Sequence, residues 1–330
     1  MKALRVRTDL SFRRALSRLR LRRVDDREIP VAPDEIRLFT VIRNESLRLP
    51  FFLKYYFDMG VDRVFVVDNG STDDSARLVL DHDRTHVIRT RETYAKHTFW
   101  IEALLDRYGM GHWCVVVDAD EFMVFPRSEE TSLRHLVQYL DGNRYTGVRA
   151  LLLDLFSKEP FDEIVYESGT DPLEVCAFFD ADYCRQPVEV LNRRTGFFWN
   201  HEAWAGGTRK RVFDVESCAS KAPLFRYDKG VSPSVGTHHV GGVNHADVEA
   251  AVLHFKYLQS FRGQVQAEVE REQHWDNASE YRGYQAAFAE RKISSLYWPG
   301  AVRYVDTRQL VDLGLLRDSE GFRSSCRLPS

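Results

Sequence analysis

The chain has little that would staple it or hold it in a membrane. Its five cysteines (Cys114, Cys176, Cys184, Cys218 and Cys326) are odd in number and lack paired metal-binding spacing. That argues against a disulfide framework or a structural zinc site and for free thiols in a reducing compartment. No apolar run approaches the roughly 20 residues that cross a bilayer. The N-terminus has no uninterrupted apolar signal core, so a cytoplasmic location is expected. Positive charge is not in excess: the formal net charge is −3 over 330 residues. This gives no general basis for binding nucleic acid, and none is expected as a partner. Internal repeats and low-complexity linkers are absent, which favours a single continuous domain over two joined ones. The apolar and charged fractions, 44% and 29%, are those of an ordinary globular protein.

One local bias breaks the near-neutral total. Lys2, Arg5, Arg7, Arg13, Arg14, Arg18, Arg20, Arg22 and Arg23 are opposed only by Asp9. Leu10, Phe12, Ala15, Leu16 and Leu19 can share one face of a helix through this segment. Residues 1–33 therefore read as a basic extension that can rest on an anionic surface, at the inner face of a membrane, or pack on a partner.

From there the pattern alternates. Ile36–Ile42, Val64–Val67, His86–Ile88 and Trp113–Val117 read as β-branched and aromatic strands. Helices are expected from Pro50 to Met59, stopped by Gly60, and from a Ser71 or Thr72 cap to about Leu80. Another is expected near Ala95–Tyr108. Strand–helix alternation at this spacing predicts an α/β fold with a mostly parallel central sheet flanked by helices. Ligands of such sheets bind beyond the carboxyl ends of the strands. Polar clusters fall at those ends: Arg43-Asn44-Glu45, Asp68-Asn69 and Asp118-Ala119-Asp120. The last follows the apolar run Val115-Val116-Val117. Side chains at i and i+2 share one side of a strand, so Asp118 and Asp120 can converge on one cation that in turn holds a diphosphate.

The second half is less regular. A helix around Ser132–Leu140, a strand around Gly147–Leu153, a late helix within Val248–Gln273 and a charged helix over Glu280–Ile293 are readable. Residues 157–208 show no clear period and are expected to complete the sheet and shape a second pocket. The division is 1–33, then one domain over 34–300 with halves at 34–126 and 127–300, then a tail over 301–330.

With these motifs in place, the first 125 residues resemble a family 2 type glycosyltransferase of the GT-A (Rossmann-like) fold. The carriers are Thr40-Val41-Ile42-Arg43-Asn44-Glu45, Val67-Asp68-Asn69-Gly70-Ser71-Thr72-Asp73, and Val117-Asp118-Ala119-Asp120-Glu121-Phe122. Gly206-Gly207-Thr208-Arg209-Lys210-Arg211, Lys221-Ala222-Pro223-Leu224 and Leu253-His254-Phe255-Lys256-Tyr257 resemble, more loosely, a bacterial branch of that family with a D-A-D-E-F metal motif. The resemblance implies a nucleotide-sugar donor, a UDP-sugar being favoured, and a glycan or lipid-linked acceptor in surface polysaccharide assembly. Thr40, Arg43, Asn44, Glu45, Asp68, Asp118 and Ala119 would then line the donor site, with Asp68 accepting a hydrogen bond from the base. Asp118 and Asp120 would face the ribose and the metal–diphosphate. The family's second motif commonly carries two acids, where this chain has Asp68-Asn69.

The chemistry needs a stabilised diphosphate, an activated acceptor hydroxyl and alignment of both. Mg²⁺ or Mn²⁺ would neutralise the diphosphate, and carboxylate with imidazole ligands leans toward Mn²⁺. The resemblance points to His254 as the late histidine ligand, with His238 and His239 as rivals. Arg209 and Arg211 can pair with phosphate, though an exposed basic strand would look the same. For the base of an inverting transfer the candidates are Asp154, Asp180, Asp182, Glu189 and Glu202. Glu202 is preferred for its neighbours Phe197, Phe198, Trp199 and Trp204. A second D-x-D, Asp180-Ala181-Asp182, lies outside the regular series. A haloacid dehalogenase-like phosphohydrolase would need its acid pair after the first strand, and a nucleotidyltransferase a Gly-rich loop there. A non-catalytic nucleotide-sugar or glycan-binding protein of the same fold remains the competing class.

Overall fold

The computed structural model describes residues 17–191, 198–234, 236–273 and 275–327. Phe197 and the basic segment up to Leu16 lie outside them.

In chain order the first strands are β1 (Arg22–Arg23), β2 (Ile36–Ile42), β3 (Arg63–Asp68), β4 (Thr85–Arg89), β5 (Trp113–Val116), β6 (Glu121–Val124) and β7 (Gly147–Phe156). They are followed by β8 (Phe178–Phe179), β9 (Tyr183–Leu191), β10 (Phe198–Gly206), β11 (Ser220–Arg226), β12 (Ser232–Ser234), β13 (His239–Gly241), β14 (Ala250–His254) and β15 (Val302–Arg303). The main sheet runs β1-β4-β3-β2-β5-β11-β7-β14-β6. Strands β4, β3, β2 and β5 are mutually parallel, as is the pair β7 and β14. Strand β11 is antiparallel to both β5 and β7, and β6 is antiparallel to β14. The result is a mixed α/β molecule built on one large sheet.

Alternation fixes which residues face which layer. Leu38, Val64, Val66 and Val115 join one buried cluster. Phe39, Phe65, Val67, Cys114 and Val116 join the other, on the opposite face. Helix Leu49–Met59 has Pro50 in its first turn and ends on Gly60 at φ 113°, a left-handed position suited to glycine. Its Phe52 and Tyr56 pack against Phe122. The Tyr56 hydroxyl donates to the Glu121 carbonyl at 2.8 Å and accepts the Met123 N–H at 3.0 Å. One helix thus seats the start of β6.

Two expectations need correction. The helix after β3 spans Ser75–Leu80, and neither Ser71 nor Thr72 caps it. Those hydroxyl residues are used across the loop: Ser71 Oγ accepts the Asn44 N–H, and the Thr72 N–H donates to Asn44 Oδ1. Asp73 takes the Ser75 N–H instead. Arg209, Lys210 and Arg211 lie on a helix, Gly207–Phe213, and not on an exposed strand.

The chain ends described here pack on the sheet. β1 pairs antiparallel with the edge strand β4, and Arg18, Arg20 and Arg23 pair with Asp106, Glu92 and Asp25. At the other end β15 pairs with β8, and Phe322 packs on Phe125 and Tyr139. Among the described residues no helix is long and apolar enough to cross a membrane.

Candidate functional site

Strands β3 and β4 extend the sheet to one side of β2, whereas β5 lies on the other side. Where the order reverses, the connections leave β2 and β5 in opposite directions and open a crevice at their carboxyl ends. A cleft of about 580 Å³ occupies that place. Arg43 and Glu45 enter it from the loop after β2, and Asp118, Ala119 and Asp120 from the loop after β5.

The acidic residues sit on a turn and not on the strand, because β5 ends at Val116. The Glu121 N–H donates to the Asp118 carbonyl at 3.1 Å, and the Asp118 N–H returns to Glu121 Oε2 at 3.0 Å. Glu121 Oε1 meets the Lys221 ammonium at 2.8 Å, with both side chains 2% exposed. Lys221 also donates to the Gly236 carbonyl at 3.1 Å and lies 3.5 Å from Asp118. Burial opposes its charge, but Glu121 and Asp118 outweigh that and raise the ammonium's pKa. Asp118, by contrast, is half exposed to the cleft.

Asp120 heads a second chain of charge. His254, at the end of β14, points Nε2 at Asp120 Oδ2 across 3.4 Å and donates Nδ1–H to Asp154 at 2.6 Å. Burial disfavours a charged ring, yet Asp120 and Asp154 together push His254 up to about 9. Arg209 closes on Asp154 with two bonds of 2.8 Å each. Burial works against the Asp154 carboxylate, but Arg209 and His254 hold it at about 2. A carboxylate behind a histidine whose other nitrogen faces a second carboxylate is the arrangement that orients a metal-binding imidazole. Among the described residues no three His, Cys, Asp or Glu side chains close on one point as a preformed metal cage. Lys256 and Glu280, 2.9 Å apart, form the far wall.

Glu45 and Arg48 complete the near wall, bonded at 2.9 Å. Burial pushes the Glu45 carboxyl up to about 7 against the pull of Arg48, with Asp120 adding to the rise.

Other residues singled out from the sequence lie elsewhere. Asp68 is buried, accepts the Ser71 N–H at 2.9 Å and the Arg89 guanidinium at 3.2 Å, and is not among the residues lining the cleft. Thr40 is buried in β2, and Asn44 braces the 68–73 turn. Arg211 pairs with Asp180, which also accepts the Trp298 indole N–H, so the second D-x-D serves a structural contact. Glu189 and Asp182 are exposed on the β9–β10 side of the molecule. Glu202 is exposed on β10 beside a separate enclosed pocket with Arg149, His201, His239 and His245. Lys221 and His238 touch both that pocket and the cleft. His238 gives Nδ1–H to the Ser220 carbonyl at 2.7 Å, and burial beside Lys221 drives its pKa well down.

Sequence reasoning passed over Arg48 and Glu280 and assigned no role to Lys221. Arg48 carried one signal, its i, i+3 spacing from Glu45 at a helix start. Lys221 and Glu280 reach the site only through pairing across the fold.

No family model matches the chain. Over 103 residues, 28% of this chain, it is 28% identical to a glycosyltransferase family 92 protein of Ricinus communis. The match spans 18% of that protein's length. A glycosyltransferase is therefore a distant relative of part of the chain.

Proposed function

We propose that the chain is a glycosyltransferase of the GT-A type, similar to family 2, that takes a nucleotide-diphosphate sugar in the switch-point cleft. The observation that carries this reading is the acidic Asp118–Asp120 turn opening into that cleft opposite Arg43 and Glu45, in a chain with a glycosyltransferase relative. Asp120 and His254 suit a divalent ion, Mn²⁺ or Mg²⁺, that arrives with oxygens of its own. Asp118 stands half exposed beside them. Such an ion would neutralise charge on the leaving diphosphate.

The chain's own groups perform the remaining tasks. Asp154 and Arg209 hold the His254 ring in one orientation. Arg43 presents a cation at the cleft, and its Nη1 is tethered to the Asn69 carbonyl at 3.1 Å. Glu45 lines the cleft 2.9 Å from Arg48 Nη1, and in this proposal its carboxylate receives the acceptor hydroxyl's proton. We place the base there in preference to Glu202, which lies outside the cleft lining. A glycan or lipid-linked acceptor, a UDP-sugar donor and a cytoplasmic setting at the inner membrane face complete the proposal.

A thermal-shift panel of nucleotide-sugars with and without Mn²⁺ tests it. One donor should raise the melting temperature in a metal-dependent way and release its nucleoside diphosphate when acceptor is added. An unchanged melting temperature with every donor contradicts the proposal. Binding with no turnover on any acceptor favours a non-catalytic sugar-nucleotide binder.

A further inference from the structure

Arg48 lines the cleft with its side chain only 6% exposed. One terminal nitrogen, Nη1, donates to Glu45 at 2.9 Å. The other two nitrogens, Nε and Nη2, are buried and have no hydrogen-bond partner among the described residues. A guanidinium stays charged in any protein, so its N–H groups cannot be silenced by losing a proton. Leaving such groups unpaired in the interior is costly, and native interiors avoid it.

The two orphaned nitrogens are not an arbitrary pair. Nε–H and Nη2–H form the side edge of the guanidinium, a fork spaced for two oxygens of one carboxylate or phosphate. Arg209 shows the same edge satisfied: its Nε and Nη2 each reach one Asp154 oxygen at 2.8 Å. For Arg48 the described residues supply no such acceptor. Glu45 is engaged by Nη1, and Asp120, which acts electrostatically on Arg48, faces His254.

We propose that Arg48 is an oxyanion-reading residue whose side edge takes two oxygens of an anionic group carried by the ligand of the cleft. Only the origin of that anion rests on the glycosyltransferase reading. It is a phosphate of the donor, or the carboxylate of an acidic sugar.

Calorimetric titration of the wild type and of Arg48→Lys, with Mg²⁺ present, separates these cases. The probes are inorganic pyrophosphate, UDP, GDP, UDP-glucose and UDP-glucuronate. Lysine keeps the charge and loses the fork. Pyrophosphate and at least one nucleotide should bind the wild type and weaken about tenfold or more in the folded variant. A loss confined to UDP-glucuronate assigns the fork to a sugar carboxylate and equally supports an oxyanion site. Affinities within about twofold of wild type for every probe overturn it, as does a wild type that binds no oxyanion probe. Arg48-dependent pyrophosphate binding without any nucleotide-sugar binding would keep the site and remove the glycosyltransferase reading. Nucleotide-sugar binding indifferent to Arg48 would do the reverse. Should Arg48→Lys fail to fold, the wild-type Arg48 Nε–H resonance decides: a shift on adding pyrophosphate supports the site, and an unmoved resonance overturns it.

Discussion

Lys221 carries its charge at 2% exposure, which the interior tolerates because Glu121 meets it at 2.8 Å, with the Gly236 carbonyl at 3.1 Å and Asp118 at 3.5 Å. Removing one member of such a buried pair leaves the other uncompensated. Lys221→Met should therefore lower stability by about 3–5 kcal/mol in urea unfolding, and Lys221→Met with Glu121→Gln should recover much of that loss. Equal stability of the single variant and wild type would contradict the pair's structural role. Asp120 makes a different demand, since its partner His254 retains Asp154 when Asp120 is removed. Asp120→Ala should keep the fold and abolish the metal-dependent part of the donor-induced thermal shift. A shift as large as in wild type would count against Asp120 as a ligand. At this scale the place of Asp118 and Asp120 just past a strand end was legible from the apolar run before them, but their sharing one strand face was not borne out, since β5 stops at Val116 and both acids lie on the turn beyond it. Arg48 and Lys221 were not legible, because their roles arise from pairing and burial, which no local pattern encodes.

Among the elements, the short helix Gly207–Phe213 shows how local pattern and tertiary demand part. The basic run after Gly206-Gly207 could have been an exposed strand, yet both glycines have positive φ (104° and 69°) and lead into a helix. A Cβ at Gly207 would come within 2.2 Å of the Tyr183 ring, and one at Gly206 within 2.6 Å of the Asp182 carbonyl oxygen. The pair is thus a tight fit that aims Arg209 at Asp154. Gly207→Val should cost about 2 kcal/mol or more. It should also weaken donor binding by displacing Arg209, as read from urea midpoints and the thermal shift together. A variant with wild-type stability would show that the close approach is dispensable. The β2–β5 series and its helices were readable because each element there carries its own turn signals and β2, β3 and β4 pair in sequence order, although β5 returns to β2 across more than 70 residues. β11 and β14 were harder, since their partners β5, β7 and β6 lie far away in the chain and register is set across that distance.

For the whole molecule, buried histidines set the acid limit of stability. Burial holds His239 at about 4, and burial with the neighbouring Arg149 holds His245 at about 3. An unfolded histidine takes up its proton near 6.5. Between that value and the folded one the unfolded chain binds more protons than the native state, so stability falls as pH falls. The slope is up to about 1.4 kcal/mol per pH unit for each such histidine. Urea midpoints should decline from pH 7 to pH 5, and His239→Gln should flatten the decline. A midpoint constant over that range would contradict this account of the interior.

The same scale holds the central claim, that a ligand enters where the strand order reverses between β2 and β5. Hydrogen–deuterium exchange with the donor that gives the largest thermal shift, plus Mn²⁺, tests this most directly. Protection is predicted to concentrate in residues 41–48, 116–122 and 252–256. Protection centred instead on the enclosed pocket around Arg149, His201 and His245, with residues 41–48 and 116–122 unchanged, would contradict it.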